Sequence, residues 1–251
     1  MKKYLLVFFF LFLVLPVACG KRPAVSPLRV AAASDLDPAL REIATKFEKE
    51  RGVAVTINFG STGNLAKQIE QGAPVDVFLA ANASFVENLD KKGLVLSGTS
   101  ATYGFGRLVV WQRDDAKFQI SNLNDLADPR LARLAIANPE HAPYGQAARA
   151  AMQKANVWGA VEKKLVFGEN VGDTLQFART GNADAALVGR SQVRTLGGRT
   201  FEIDPNLYPP LAQTLCVLKR TSREADARAF ASYVLGEEGK RILREYGIET
   251  K

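Results

Sequence analysis

A strand, a short polar turn and a helix start follow one another four times in this chain, and that repetition limits its possible folds more than any other feature. The clearest copy is Phe59-Gly60-Ser61-Thr62-Gly63-Asn64-Leu65-Ala66-Lys67-Gln68-Ile69-Glu70. The alternating run Val53–Phe59 before it reads as a β-strand. Leu65 and Ile69 after it have the spacing of a short amphipathic helix. Ser61 and Thr62 fall where the first helical N–H groups lack intrahelical partners. Such a turn can simply cap its own helix. It can also present hydroxyls, N–H groups and the positive end of the helix dipole to an anion.

The other three copies lie at Ser34, at Tyr144-Gly145 and at Val171-Gly172. In open α/β sheets the ligand crevice lies at the carboxyl ends of the strands, where these four turns would sit. Glycine beside Tyr144 and Val171 permits close backbone approach. None of the four tips carries Lys or Arg. That composition favours recognition by neutral, directed donors over ion pairing, and a lining of donors alone excludes an anion that itself carries a proton.

Read in order, the chain alternates strand and helix. Leu28–Ala33 is a small, buried-type strand; Ala39–Arg51 carries Leu40, Ile43, Ala44 and Phe47 at helical spacing, with Pro38 in its first turn and Asp35 or Asp37 as its cap. A strand at Val75–Ala80 and a helix at Asn82–Lys92 complete a β-α-β-α-β-α order, which argues for an α/β sheet with parallel strands. Tyr103–Gln112 reads as one longer β run crossing into a second unit. There, strands at Leu134–Ala137, Lys164–Phe167 and Ala183–Val188 alternate with helices at Gln146–Ala155 and Thr174–Thr180. Leu215–Lys219 would return to the first unit, closed by helices at Ala225–Tyr233 and Lys240–Tyr246. Two α/β lobes follow, one from 28–104 with 205–251 and the other from 105–204, with a ligand cleft between them.

Residues 1–18 stand apart from this pattern. Lys2 and Lys3 precede the apolar run Tyr4–Val17, which is short for a membrane span and reads as an export signal. Ala18-Cys19 at its end resembles a bacterial lipoprotein signal, with Cys19 carrying the lipid, although Pro16 departs from the aliphatic residue usual there. Residues 19–27 read as a tether. The expected location is therefore the periplasm or the outer face of the cell membrane. Cys216, the second of two cysteines, lies in the apolar run Leu215–Leu218, so there is no intramolecular disulfide framework and Cys216 reads as core. The net charge of +7 is scattered without interleaved aromatics, which reads as a solvated face and not a nucleic-acid surface.

Five segments in order carry a resemblance: Val30-Ala-Ala-Ala-Ser34-Asp-Leu36, Phe59-Gly-Ser-Thr-Gly-Asn-Leu65, Gly72-Ala-Pro-Val-Asp-Val-Phe78, Asn138-Pro-Glu-His-Ala-Pro-Tyr-Gly145 and Glu169-Asn-Val171. Together they resemble the periplasmic molybdate-binding proteins of ABC importers, from about Leu28 to the Glu245-Tyr-Gly-Ile248 tail. The resemblance implies a two-lobe, type II periplasmic-binding-protein fold that closes on a tetrahedral oxyanion, molybdate and also tungstate. It implies ligand contacts from the hydroxyl and N–H of Ser34, the hydroxyl and N–H of Thr62, and the backbone N–H groups of Tyr144 and Val171, with Ser61 the lesser candidate of its pair. It further implies a membrane permease as partner, a monomeric receptor, no cofactor, no protein-ligated metal and no catalysis. Some members of the family place a tyrosine hydroxyl where this chain has Gly189, and the Tyr144 hydroxyl is the expected substitute.

Two other readings compete. An exported hydrolase would use Ser34 or Ser61 with His141, the only histidine, yet no Gly-x-Ser-x-Gly elbow is present. One histidine and no paired cysteines also offer poor metal ligands. Among receptors, sulfate or phosphate is the alternative solute, with Asp35 as an acceptor for a protonated oxygen.

Overall fold

The computed structural model describes residues 26–250. The segment read as an export signal, and Cys19 with most of the tether, lie outside the described residues. In chain order, β1 (Leu28–Ala33) passes through a single 3-10 turn, Ser34–Leu36, into α1 (Asp37–Arg51). β2 (Val55–Gly60) leads to α2 (Thr62–Glu70), and β3 (Val77–Ala80) to α3 (Ala83–Lys91). β4 (Ala101–Gly106) and β5 (Leu108–Gln112) follow, then β6 (Leu134–Ala137), α4 (Pro143–Lys154), α5 (Trp158–Val161), β7 (Leu165–Gly168) and α6 (Val171–Arg179). β8 (Ala185–Gly189), α7 (Arg190–Val193), β9 (Arg199–Glu202), β10 (Leu211–Val217), α8 (Glu224–Leu235), α9 (Glu237–Glu245) and β11 (Glu249–Thr250) complete it.

The strands form two sheets, in the orders β11-β4-β10-β3-β1-β2 and β7-β6-β8-β5-β9. Each sheet has a parallel half made by strand–helix–strand units: β1 with β2 and β3, and β6 with β7 and β8. Neither sheet is purely parallel, however. β10 lies antiparallel between β3 and β4, and β5 lies antiparallel between β8 and β9. These strands stand next to the crossings, so they enter from the other half running the opposite way. The expected single run Tyr103–Gln112 is accordingly two strands in two sheets, broken at Arg107, whose guanidinium pairs with Glu249 of β11. β4 thus continues to Gly106, two residues past the expected division at 104.

Burial explains the layers. β1 is buried at every position but Arg29 and alternates its side chains between two cores. Leu28, Val30 and Ala32 pack with α1, α8 and α9, while Ala31 packs with Phe78, Cys216 and residues of α2 and α3. A strand covered on both faces by helices needs this continuous apolar character. On the first face Phe47 meets Phe230 edge-on, ring centroids 5.2 Å apart. Cys216 is a buried free thiol, its pKa pushed up to about 12 by that burial. The second sheet has its own core around β5, β6, β8, α4 and α6. Among the described residues no helix is long and apolar enough to cross a membrane.

Candidate anion-binding site

The carboxyl ends of β1, β2, β6 and β7 turn towards one another where the two halves meet. All five residues expected at the site line a single cavity there: Ser34, Ser61, Thr62, Tyr144 and Val171. They are nearly buried, with Ser34 the most exposed at 7%. Space not filled by atoms amounts to about 190 Å³, part of it open to solvent. That is room for one small, compact guest. No Lys or Arg lines the cavity.

The local structure leaves donors pointing at this space. Thr62 is the first residue of α2 and its Oγ1 accepts the Ala81 N–H at 3.2 Å, which leaves its own proton to donate elsewhere. Ser34 Oγ likewise accepts the Gly172 N–H, at 3.3 Å. Tyr144 and Val171 stand at the second and first positions of α4 and α6, where an N–H has no acceptor inside its own helix. Asn170 caps α6 by accepting from Gly172 and Asp173 at 2.8 and 3.0 Å, one and two residues beyond Val171. Pro143 opens α4 with no side-chain cap. The helices therefore begin earlier than the apolar periodicity indicated, which puts these N–H groups on helix termini with their dipoles aimed at the cavity.

Ser61 differs from its neighbour. Its hydroxyl lies 2.7 Å from the carbonyl oxygen of His141 and 2.8 Å from Nδ1 of the same residue. Ser61 and His141 do meet, as a hydrolase would require, and His141 Nε2 stands 3.7 Å from Glu169. The contact joins the two halves of the molecule, and the adjacent Gly63 N–H donates to the same carbonyl at 2.9 Å. Gly63 has to be glycine for this approach, because a Cβ there would lie 2.6 Å from the His141 oxygen.

The expectations for Tyr144 and Asp35 need correction. The Tyr144 ring lies over Gly189, where a Cβ would come within 3.2 Å of it, and over Gly106, where a Cβ would fall 2.2 Å from the hydroxyl. Two glycines thus give the ring its place. Its hydroxyl, however, donates to Asp35 Oδ2 at 3.0 Å, so its one proton is not available to a guest in the cavity. Asp35 caps no helix: α1 begins at Asp37 without a side-chain cap. Asp35 is instead a fully buried residue of the cavity wall, where Gln213 Nε2 also donates to Oδ2, at 2.7 Å. Ser191 Oγ donates to the Asp35 carbonyl at 2.7 Å, so this residue ties the halves together twice. Burial pushes the carboxyl up to about 7, against the downward pull of the Tyr144 and Gln213 hydrogen bonds. Burial together with the Asp35 charge holds the Tyr144 and Tyr103 phenols well above their usual value. Sequence reasoning missed Gln213 and Ser191. The polar pair Gln213-Thr214 is the available signal, but it precedes the apolar run from Leu215 and so falls outside the strand that the periodicity predicts.

Comparison with known proteins places the chain in a family. Residues 28–249 match the family described as bacterial extracellular solute-binding protein. The molybdate-binding protein ModA of Rhodobacter capsulatus is 36% identical over 95% of this chain and 92% of its own length. That of Azotobacter vinelandii is 34% identical, covering 92% of both chains. The solved structure of the Azotobacter vinelandii periplasmic molybdate-binding protein superimposes with a TM-score of 0.84, covering 89% of this chain and 99% of that one at 29% identity.

Proposed function

The chain belongs to the bacterial extracellular solute-binding protein family, and on that premise we propose that it captures molybdate, and tungstate with it, for an ABC importer. The observation that carries the reading is the cavity itself: two hydroxyls and two helix-terminal N–H groups converge, without any cationic side chain, on room for one small compact guest. In this reading Ser34 and Thr62 donate through side chain and backbone, Tyr144 and Val171 through backbone N–H, and Ser61 helps to hold the halves closed. A desolvated dianion is stabilised when each oxygen gains charge-assisted hydrogen bonds. Relatives named for molybdate binding at 36% and 34% identity support the choice of anion.

Capture proceeds by closure of a lobe formed from 28–104 and 205–251 on one formed from 105–204, followed by release to a membrane permease. The ligand shifts this equilibrium only by binding the closed form better than the open one. The receptor works outside the cytoplasm as a monomer, attached by a lipid on Cys19, and uses neither cofactor nor nucleic acid. Calorimetry on the anion-stripped protein tests the substrate: tight one-to-one binding of molybdate and tungstate is expected, with sulfate and phosphate far weaker. One observation favours a second reading. Asp35 offers a buried carboxyl at the cavity, and a carboxylate there would accept from a protonated oxyanion such as phosphate. Binding of phosphate or sulfate alone would replace molybdate with that solute.

A further inference from the structure

Asp35 presents a problem that the ligand contacts do not solve. Asp35 lines the cavity and is fully buried, yet its carboxyl is paired with no cation among the described residues. Oδ2 accepts twice, from Tyr144 and Gln213, while Oδ1 is buried with no hydrogen-bond partner among the described residues. The groups around it are the Tyr144 phenol from α4, the Tyr103 phenol from β4, Gln213 from β10 and Ser191 from α7. Arg107 and Arg190, the arginines at the ends of β4 and β8, are engaged by Glu249, Glu202 and the Gly247 carbonyl. An ionised Asp35 would therefore set a third negative charge beside a bound dianion in a dry space, with two neutral hydrogen bonds and no cation to offset it.

We propose that closure over the anion takes up one proton on Asp35, so that the receptor holds its doubly charged ligand against a neutral carboxylic acid. This rests on the oxyanion reading above and extends it to selectivity. The hydrogen-bond pattern fits the neutral form: Oδ2 serves as the carbonyl oxygen with two donors, and Oδ1, which accepts nothing, carries the proton. With Oδ2 already taken by Tyr144 and Gln213, the neutral acid has an O–H and no free carbonyl oxygen for a protonated oxyanion, so the same proton disfavours phosphate.

The linkage has a definite sign. Open and solvated, the carboxyl titrates in the ordinary range near about 4; closed, it titrates at about 7, and a bound dianion raises it further. Affinity is highest at low pH, falls up to tenfold per pH unit between these values, and levels off above the closed-state value.

The test is calorimetry of molybdate binding to the wild-type protein at pH 6 in buffers of different ionisation enthalpy, which yields the number of protons taken up. Close to one proton per anion is expected, with affinity declining from pH 5 to 7. Asp35→Asn keeps the shape and the acceptor for Tyr144 and Gln213; it is expected to bind with no proton uptake and no such decline. Tight wild-type binding without proton exchange overturns the proposal and leaves the oxyanion reading intact, as does proton uptake that persists in Asp35→Asn. No binding of molybdate, tungstate, sulfate or phosphate by wild-type protein overturns both. The wild-type measurement decides even if the variant fails to fold.

Discussion

The two halves approach the proposed anion with different chemistry. The half built on β1 and β2 offers hydroxyls, from Ser34 and Thr62; the half built on β6 and β7 offers main chain, from Tyr144 and Val171. A hydroxyl donor belongs to a residue type and is lost with it. A backbone donor belongs to a position, and nearly any residue placed there supplies it. The second half can therefore vary its side chains while keeping its donors, and it uses that freedom at Tyr144, whose side chain serves the lobe contact with Asp35.

The largest effect is expected where the halves are kept from meeting at all. Gly63→Ala sets a Cβ 2.6 Å from the His141 backbone oxygen, and backbone gives way less readily than a side-chain end. Closure, and with it anion affinity, should fall by about 100-fold or more, since a shift of roughly 3 kcal/mol in a two-state equilibrium suffices. The ligand-free protein should melt no lower, because alanine is the better helix former by about 0.5–1 kcal/mol. Calorimetry and a thermal melt read both; wild-type affinity in this variant would dismiss the contact as a closure latch.

The side-chain and main-chain halves are separated by a pair of substitutions at α2 and α6. Thr62→Ala removes a hydroxyl and leaves the Ala81 N–H without its acceptor. A hydrogen bond to a charged group contributes about 1.5–3 kcal/mol, so a loss of about 10- to 150-fold is expected. Val171→Ala, by contrast, should bind within about threefold of wild type, because its N–H is retained. Val171→Pro removes that N–H at a position where proline suits the first helical turn, and Asn170 before it is already extended at φ −146°, ψ 176°. It should lose as much as Thr62→Ala while α6 persists. Equal affinities for Val171→Pro and Val171→Ala would remove Val171 from the ligand set.

The same contrast decides what the sequence disclosed. Hydroxyl and glycine turns between a strand and an amphipathic helix are local, so Ser34, Ser61, Thr62, Tyr144 and Val171 were all legible, and the cavity brings all five together. Helix starts were less so: α4 opens at Pro143 and α6 at Val171, because each first turn holds a single large apolar residue followed by glycine, which sets up no apolar periodicity. Long-range pairing was not legible. Nothing local in Asp35 distinguishes a helix cap from a carboxyl engaged by residues 109 and 178 positions away. β9 and β11 escaped for the same reason, being short strands recruited by β5 and β4 across the chain. The break at Arg107 had one local sign, Gly106 just before it in a run of β-formers, but its pairing with Glu249 and the change of sheet are long-range.

A smaller pair of effects comes from the side chains that join the halves without donating to the guest. His141→Ala keeps the carbonyl that accepts from Gly63 and Ser61 and loses only the imidazole beside the Ser61 hydroxyl. Anion binding should change by no more than a few-fold, whereas a Ser61–His141 hydrolase would lose its activity altogether; an ester substrate panel assayed with both proteins distinguishes these.

Tyr144→Phe sharpens the comparison at the point where main chain and side chain of one residue do separate things. The variant keeps the backbone N–H at the second position of α4 and deletes the hydroxyl that donates to Asp35 at 3.0 Å. Loss of one buried neutral bond costs about 0.5–1.5 kcal/mol, so affinity at a fixed pH near 6 should fall only about 2- to 13-fold. The pH dependence should move in a set direction. The Tyr144 hydrogen bond pulls the Asp35 carboxyl downward against burial; without it the closed-state carboxyl titrates above about 7, and the pH at which affinity stops falling should rise with it. A variant whose affinity drops beyond about 100-fold would mean that the hydroxyl serves the anion directly. One whose levelling pH moves down would mean that Tyr144 stabilises the neutral acid and not the carboxylate, which reverses the assignment of donor and acceptor between the two side chains.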